Sequence, residues 1–111
     1  MYGCVGASYV PQVSYVTSKT AILGLTRELA VEWAPHGLNV TALAPGFFRS
    51  DQTIWAFEEN KELGNKLLAK IPMGRMGMLE ELEGTIVYLA SSASNYMNGQ
   101  VLILDGGFLS W

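Results

Sequence analysis

The chain is short of charge, thiols, histidine and long apolar runs, and each scarcity excludes something. Charged residues make up 15% of its 111 positions. The formal charge is −3 and the pI is near 5.0, whereas a general nucleic-acid binder carries a basic surface, so no nucleic-acid partner is expected. The single cysteine, Cys4, cannot close an internal disulfide, which fits a reducing compartment and makes a cytoplasmic location the expectation. The single histidine, His36, stands beside a helix end with no companions spaced to complete a ligand set, so no metal site is read. No uncharged apolar stretch approaches the ~20 residues that cross a bilayer. No basic segment precedes an apolar run at the N-terminus, so no signal peptide is expected either.

What the chain does have is apolar residues. They form 50% of the sequence, the balance of a buried α/β core. The length suits one domain at most. Repeats, low-complexity tracts and linkers are missing. Residues 1–12 read as a glycine-containing loop with Pro11 ahead of a helix. From Val13 to Ala34 the pattern is helical, with Tyr15, Lys19, Ile22, Leu25, Thr26, Leu29 and Trp33 on one stripe. Pro35 and Gly37 should end that helix. Leu38 to Leu43 suits a buried strand closed by Pro45-Gly46. Asp51 to Ile71 gives one or two charged helices stopped by Pro72, and Leu79 to Ser92 another, with Glu80 and Glu81 favoring the helix dipole. Gln100 to Leu104 is a second buried strand, expected to lie parallel to the first across a right-handed crossover.

Tyr15-Val-Thr-Ser-Lys19 places a phenol and an ammonium four residues apart, on the same helical face. A nearby cation favors the ionized phenol and lowers its pKa from about 10. Such a tyrosine can act as general acid or base on a ketone or an alcohol. The competing reading is an ordinary surface pair. Pro45-Gly46-Phe47-Phe48-Arg49-Ser50 follows the first strand, and a glycine there lets backbone approach a ligand closely; a plain strand-ending turn is the alternative. Trp55, Phe57, Met73, Met76 and Met78 suit an adaptable apolar pocket wall or the core of a short helix pair. Arg49 and Arg75 are read as solvated charges, with an anionic substrate as the other possibility.

Taken in order, Tyr15-Val-Thr-Ser-Lys19, Gly37-Leu-Asn39-Val40, Ala44-Pro45-Gly46, Gly74-Arg75-Met-Gly77 with Glu80-Glu81, Tyr88-Leu89-Ala90-Ser91, Gly99-Gln100 and Asp105-Gly106-Gly107 closely resemble the C-terminal half of the short-chain dehydrogenase/reductase family. The resemblance covers nearly the whole chain. It implies a Rossmann-type doubly wound parallel sheet, of which these residues form the last two strands and their flanking helices. It implies an NAD(P)-dependent oxidoreductase acting on a secondary alcohol or ketone. Tyr15 would exchange the substrate proton, while Lys19 would hold the nicotinamide ribose and assist the phenol. Tyr15, Lys19, Pro45, Gly46, Phe48 and Ser50 would line the cofactor site, with the backbone near Phe48 and the Ser50 hydroxyl meeting the carboxamide. Residues 47–78 would form the substrate lid within a single partial domain, 1–111. The helix of Tyr15 and the last strand would build the contacts of a homo-oligomer, dimer or tetramer.

The resemblance also marks what is not here. The family's glycine-rich pyrophosphate turn has no counterpart in the sequence, and Gly3-Cys-Val-Gly6 is no substitute. Neither Ser8 nor Ser14 stands where the family's catalytic serine belongs. The chain is therefore expected to be a family member cut just after that serine, and inactive alone. The competing function is a non-catalytic remnant that acts by packing against a related subunit. The choice between NAD and NADP is not written in these residues, since the discriminating position follows an upstream strand.

Overall fold

The computed structural model describes residues 3–4, 12–54, 57 and 59–110. Expectations resting on Trp55, Ser8 or Pro11 lie outside the described residues. Helix α1 (Val13–Trp33) begins after Gln12 without a side-chain cap and runs into a 3₁₀ turn, Ala34–His36. Pro35 prevents a regular continuation, and Gly37 closes the end with φ +75 while donating its N–H to Ala34 O. The expected single stripe is only partly buried. Thr26 and Ala30, one turn apart, face the sheet, while Ile22 and Leu25 remain 42% and 57% exposed. Leu25 lies off the line set by Thr26 and Ala30, so its apolar side chain points outward.

Strand β1 (Ala42–Pro45) pairs in parallel with β2 (Val101–Leu104), with Ala42 opposite Val101 and Pro45 opposite Leu104. The first strand starts later than the sequence pattern suggested. Residues 39–41 approach the sheet as a loop held largely by side chains: Asn39 Nδ2 donates to Asn95 O, Val40 N–H to Asn98 Oδ1, and Thr41 Oγ1 to Met97 O. Those bonds occupy backbone and side-chain groups over a stretch expected to pair as strand. At the far end, Gly46 N–H donates to Leu104 O at 2.8 Å and Ala42 N–H to Gln100 O at 3.0 Å. With period two, the N–H that Pro45 lacks would have pointed away from β2, so proline is tolerated within the strand. Among the described residues, the other edge of β1 carries no strand.

The region between the strands holds α2 (Asp51–Ile54), α3 (Lys61–Leu68) and α4 (Leu79–Ala90). Asn60 caps α3, its side chain accepting from Leu63 N–H. Helix α4 stops at Ala90 because Ser91 turns extended, its hydroxyl donating to Tyr88 O at 2.8 Å. The buried apolar residues are Ala30, Ala44, Phe48, Leu67 and Ile71. Phe48 belongs to this core and to the site. No described helix is long and apolar enough to cross a membrane.

Candidate active site

In α1, Tyr15 and Lys19 stand one turn apart near the helix start. Lys19 Nζ lies 5.3 Å from the center of the Tyr15 ring, within cation–π range. The tyrosine is 48% exposed. Gly3 packs on this turn so closely that a Cβ there would fall 2.6 Å from Lys19 O, and Gly3 O accepts from Thr20 Oγ1. Gly3 thus leans on the Lys19–Thr20 turn of α1.

The opposite wall grows from the carboxyl end of β1. Gly46 is needed here by a neighboring strand: an added Cβ would fall 2.6 Å from Asp105 Cα, at the end of β2. Asp105 in turn fixes the following turn, accepting Gly107 N–H on Oδ1 and Leu109 N–H on Oδ2, each at 2.9 Å. Beyond Gly46, Phe48 bridges in parallel to Gly77. Gly77 donates its N–H to Phe47 O at 2.9 Å and accepts from Arg49 N–H at 3.3 Å. The bridge takes polar groups from the residues before and after Phe48, so the N–H and C=O of Phe48 itself face the other way. The Phe48 carbonyl accepts from Thr53 Oγ1 at 2.7 Å, and its N–H meets no acceptor among the described residues.

A second layer braces this wall. The Phe48 ring lies on Gly77, where a Cβ would come within 2.5 Å of Cε1. Phe47 meets Phe57 and Phe108 edge-to-face, with ring centers 5.4 and 5.5 Å apart. Arg75 grips Glu81 with two N–H···O bonds of 2.8 and 2.7 Å, and Glu81 Oε2 also accepts Met78 N–H at 2.8 Å. The Arg75 guanidinium, with help from the Met78 N–H, holds the Glu81 carboxyl down to about 2. Arg75 is thus a half-exposed charge paired with Glu81. Met73 borders a small cavity of about 50 Å³ behind Phe48, and Met76 and Met78 border a separate surface groove of about 400 Å³. Phe57 and these three methionines do not line the Tyr15 cleft.

That cleft, about 420 Å³ in volume, is lined by Tyr15, Lys19, Pro45, Gly46, Phe48 and Ser50. All six sequence-derived site residues meet there, along with apolar Ile22, Leu23, Leu43, Leu82 and Val101 and with Cys4, Phe47 and Thr53. It runs along β1 from Ala42 to Pro45 and on past the carboxyl end of that strand to Ser50 and Thr53, and it is outside the carboxyl ends of their strands that open α/β sheets take their ligands. One side offers a phenol and an ammonium. The other offers a backbone N–H at Phe48 and a hydroxyl at Ser50, a donor and an acceptor suited to a flat amide. Such groups fit the nicotinamide end of a dinucleotide. Among the described residues no glycine-rich turn exists to hold a pyrophosphate. Sequence reasoning missed Thr53, and it named Gly77 and Asp105 only as motif residues without the part they play here, since both shape this wall through tertiary contacts. No group of three or more His, Cys, Asp or Glu able to hold a metal is present among the described residues.

Comparison with known proteins finds dehydrogenases and reductases. A family model described as enoyl-(acyl carrier protein) reductase matches residues 3–109. A 2-dehydro-3-deoxy-D-gluconate 5-dehydrogenase of Dickeya dadantii is 44% identical over 97 residues, covering 87% of this chain and 38% of that protein. The structure of a protein assigned as a 2-deoxy-D-gluconate 3-dehydrogenase of Agrobacterium tumefaciens, with bound NADP, superposes with a TM-score of 0.90 at 38% identity, over 99% of this chain and 44% of that one. A 4-hydroxyisoleucine dehydrogenase complexed with NADH gives 0.90 at 26% identity, again over 99% of this chain and 44% of the other. The chain spans about two fifths of the length of the curated relatives it matches.

Proposed function

Because the chain belongs to the short-chain dehydrogenase/reductase family, we propose that the protein containing it interconverts a secondary alcohol and a ketone with NAD or NADP. The observation that carries this reading is the convergence of Tyr15 and Lys19, from α1, with the Pro45–Ser50 segment on one cleft. When bound, the nicotinamide supplies or accepts the hydride. The residues of this chain do the rest. The Tyr15 phenolic oxygen gives a proton to the ketone oxygen in reduction and takes it from the alcohol in oxidation. Lys19 holds the ribose hydroxyls and places its charge beside the phenol. The Phe48 N–H and the Ser50 hydroxyl orient the carboxamide, while Pro45 and Gly46 set the turn. The 47–78 segment covers the substrate side, with Phe47, Phe48, Ser50 and Thr53 as its cleft-facing part.

The protein works in the cytoplasm as a homo-oligomer, and the apolar residues exposed on α1 support a further packing surface there. The relatives reported above are named for sugar acids and an amino acid, so polyhydroxylated acids lead the substrate panel. Oxidation of NADH and NADPH is followed in the full-length protein with keto-sugar acids, keto-polyols and simple ketones. Saturable, ketone-dependent oxidation of either nucleotide is expected. Binding of neither nucleotide would overturn the proposal.

A further inference from the structure

We propose that Thr53 is a positioning residue that fixes the Ser50 hydroxyl as a hydrogen-bond acceptor toward the cleft, so that it selects a ligand amide by its N–H₂ group; the proposal rests on the nicotinamide reading above. Thr53 Oγ1 lies 2.7 Å from Phe48 O, 3.0 Å from Ser50 O, 2.9 Å from Ser50 N and 3.3 Å from Ser50 Oγ. A threonine hydroxyl has a single hydrogen and two lone pairs. Ser50 O already accepts two amides, Thr53 N–H at 2.9 Å and Ile54 N–H at 3.0 Å. Phe48 O is nearer, so the Thr53 hydrogen goes there. The Thr53 oxygen then accepts Ser50 N–H with one lone pair and the Ser50 hydroxyl hydrogen with the other. With its hydrogen turned to Thr53, Ser50 Oγ presents lone pairs to the cleft that both residues line. The wall therefore offers one donor, Phe48 N–H, and one acceptor, Ser50 Oγ. A carboxamide has the complementary pair, whereas a methyl ketone in its place has only the acceptor.

The full-length protein is titrated with NAD(P)H and with its 3-acetylpyridine analogue, in which a methyl replaces the amide nitrogen, reading bound nucleotide by fluorescence or calorimetry. The wild type should prefer the carboxamide about three- to tenfold, the scale of one hydrogen bond. Thr53→Val keeps the shape and removes the hydroxyl; its preference should fall to about one, and the Ser50 amide should exchange faster in the nucleotide-free protein. Thr53→Ser should restore both properties. Thr53→Ala carries the same expectation as the valine if the larger residue impairs folding. A preference in Thr53→Val equal to the wild type, or a wild type that binds both nucleotides alike, overturns this proposal and leaves the dehydrogenase reading standing. A wild type that binds neither nucleotide overturns that reading and this one together.

Discussion

The two walls of the cleft are held in different ways. From Phe47 to Thr53, one wall is stitched by short polar contacts to Gly77, braced by the Arg75–Glu81 grip and backed by three aromatic rings. Helix α1, which carries the other wall, buries only Thr26 and Ala30. Val13, Val31 and Leu25 on the same helix are 82%, 76% and 57% exposed. The accessible surface of the whole is 7479 Å², against roughly 6,000 Å² for a folded monomer of this mass. The difference teaches that the Phe47–Thr53 wall is organized by tertiary contacts made within this chain. The phenol and ammonium instead depend on a helix that needs further packing to be held firmly.

Lys19→Ala in the full-length protein should have the largest effect, because it removes the charge beside the Tyr15 phenol and the group proposed to hold the ribose. Turnover should fall on the order of 10²–10⁴-fold, the range of assisted proton transfer, and nucleotide affinity should fall with it. Steady-state kinetics beside a binding titration check this; unchanged nucleotide affinity would detach Lys19 from the ribose.

Gly77→Ala strikes the well-stitched wall instead. Its Cβ would enter the space of the Phe48 ring, and such overpacking costs about 1–3 kcal/mol. Urea denaturation reads the stability, and nucleotide binding should weaken through the displaced Phe48. Equal stability would mean that the ring moves freely, and the contrast between the walls would fade.

Asn98→Ala tests how α1 is anchored. Asn98 Nδ2 donates to Ala30 O at 2.9 Å, and its Oδ1 accepts Val40 N–H at 2.8 Å. One side chain thereby ties the helix to the loop before β1. Losing both bonds should cost about 1–2 kcal/mol, read by urea denaturation, and turnover and nucleotide affinity should fall together, since the helix that shifts carries both Tyr15 and Lys19.

The smallest effect is acid loosening of the Arg75–Glu81 grip. Glu81 has its folded-state value depressed to about 2 from an ordinary 4.5. Its contribution to stability is therefore present above pH 4.5 and is lost as pH falls through about 2. Both partners are half-exposed, so the change should be slight. Amide exchange at Met78 and Gly77 should accelerate over that window in the wild type and hardly respond in Glu81→Gln.

Much of this contrast was legible in the sequence and some was not. Helix α1 was bounded almost to the residue because Pro35 and Gly37 act locally. The six residues that meet in the cleft could be grouped in advance because their motifs fix their order along the chain. Strand β1 was placed too early because the bonds that hold Asn39, Val40 and Thr41 come from residues 95–98, more than fifty positions away. Gly46 read as room for a ligand, whereas the space it leaves is filled by Asp105. Thr53 and Asn98 carry no pattern of their own; each matters through one hydroxyl or one amide placed by the fold.

Tyr15 carries the proton on which the proposed reaction turns. Tyr15→Phe removes the hydroxyl and keeps the ring, so nucleotide binding in the full-length protein should change little. Ketone-dependent oxidation of NAD(P)H should drop by at least about 10²-fold, the lower end of general acid–base catalysis. Turnover in Tyr15→Phe equal to that of the wild type, with nucleotide bound normally, would contradict the assignment of that proton.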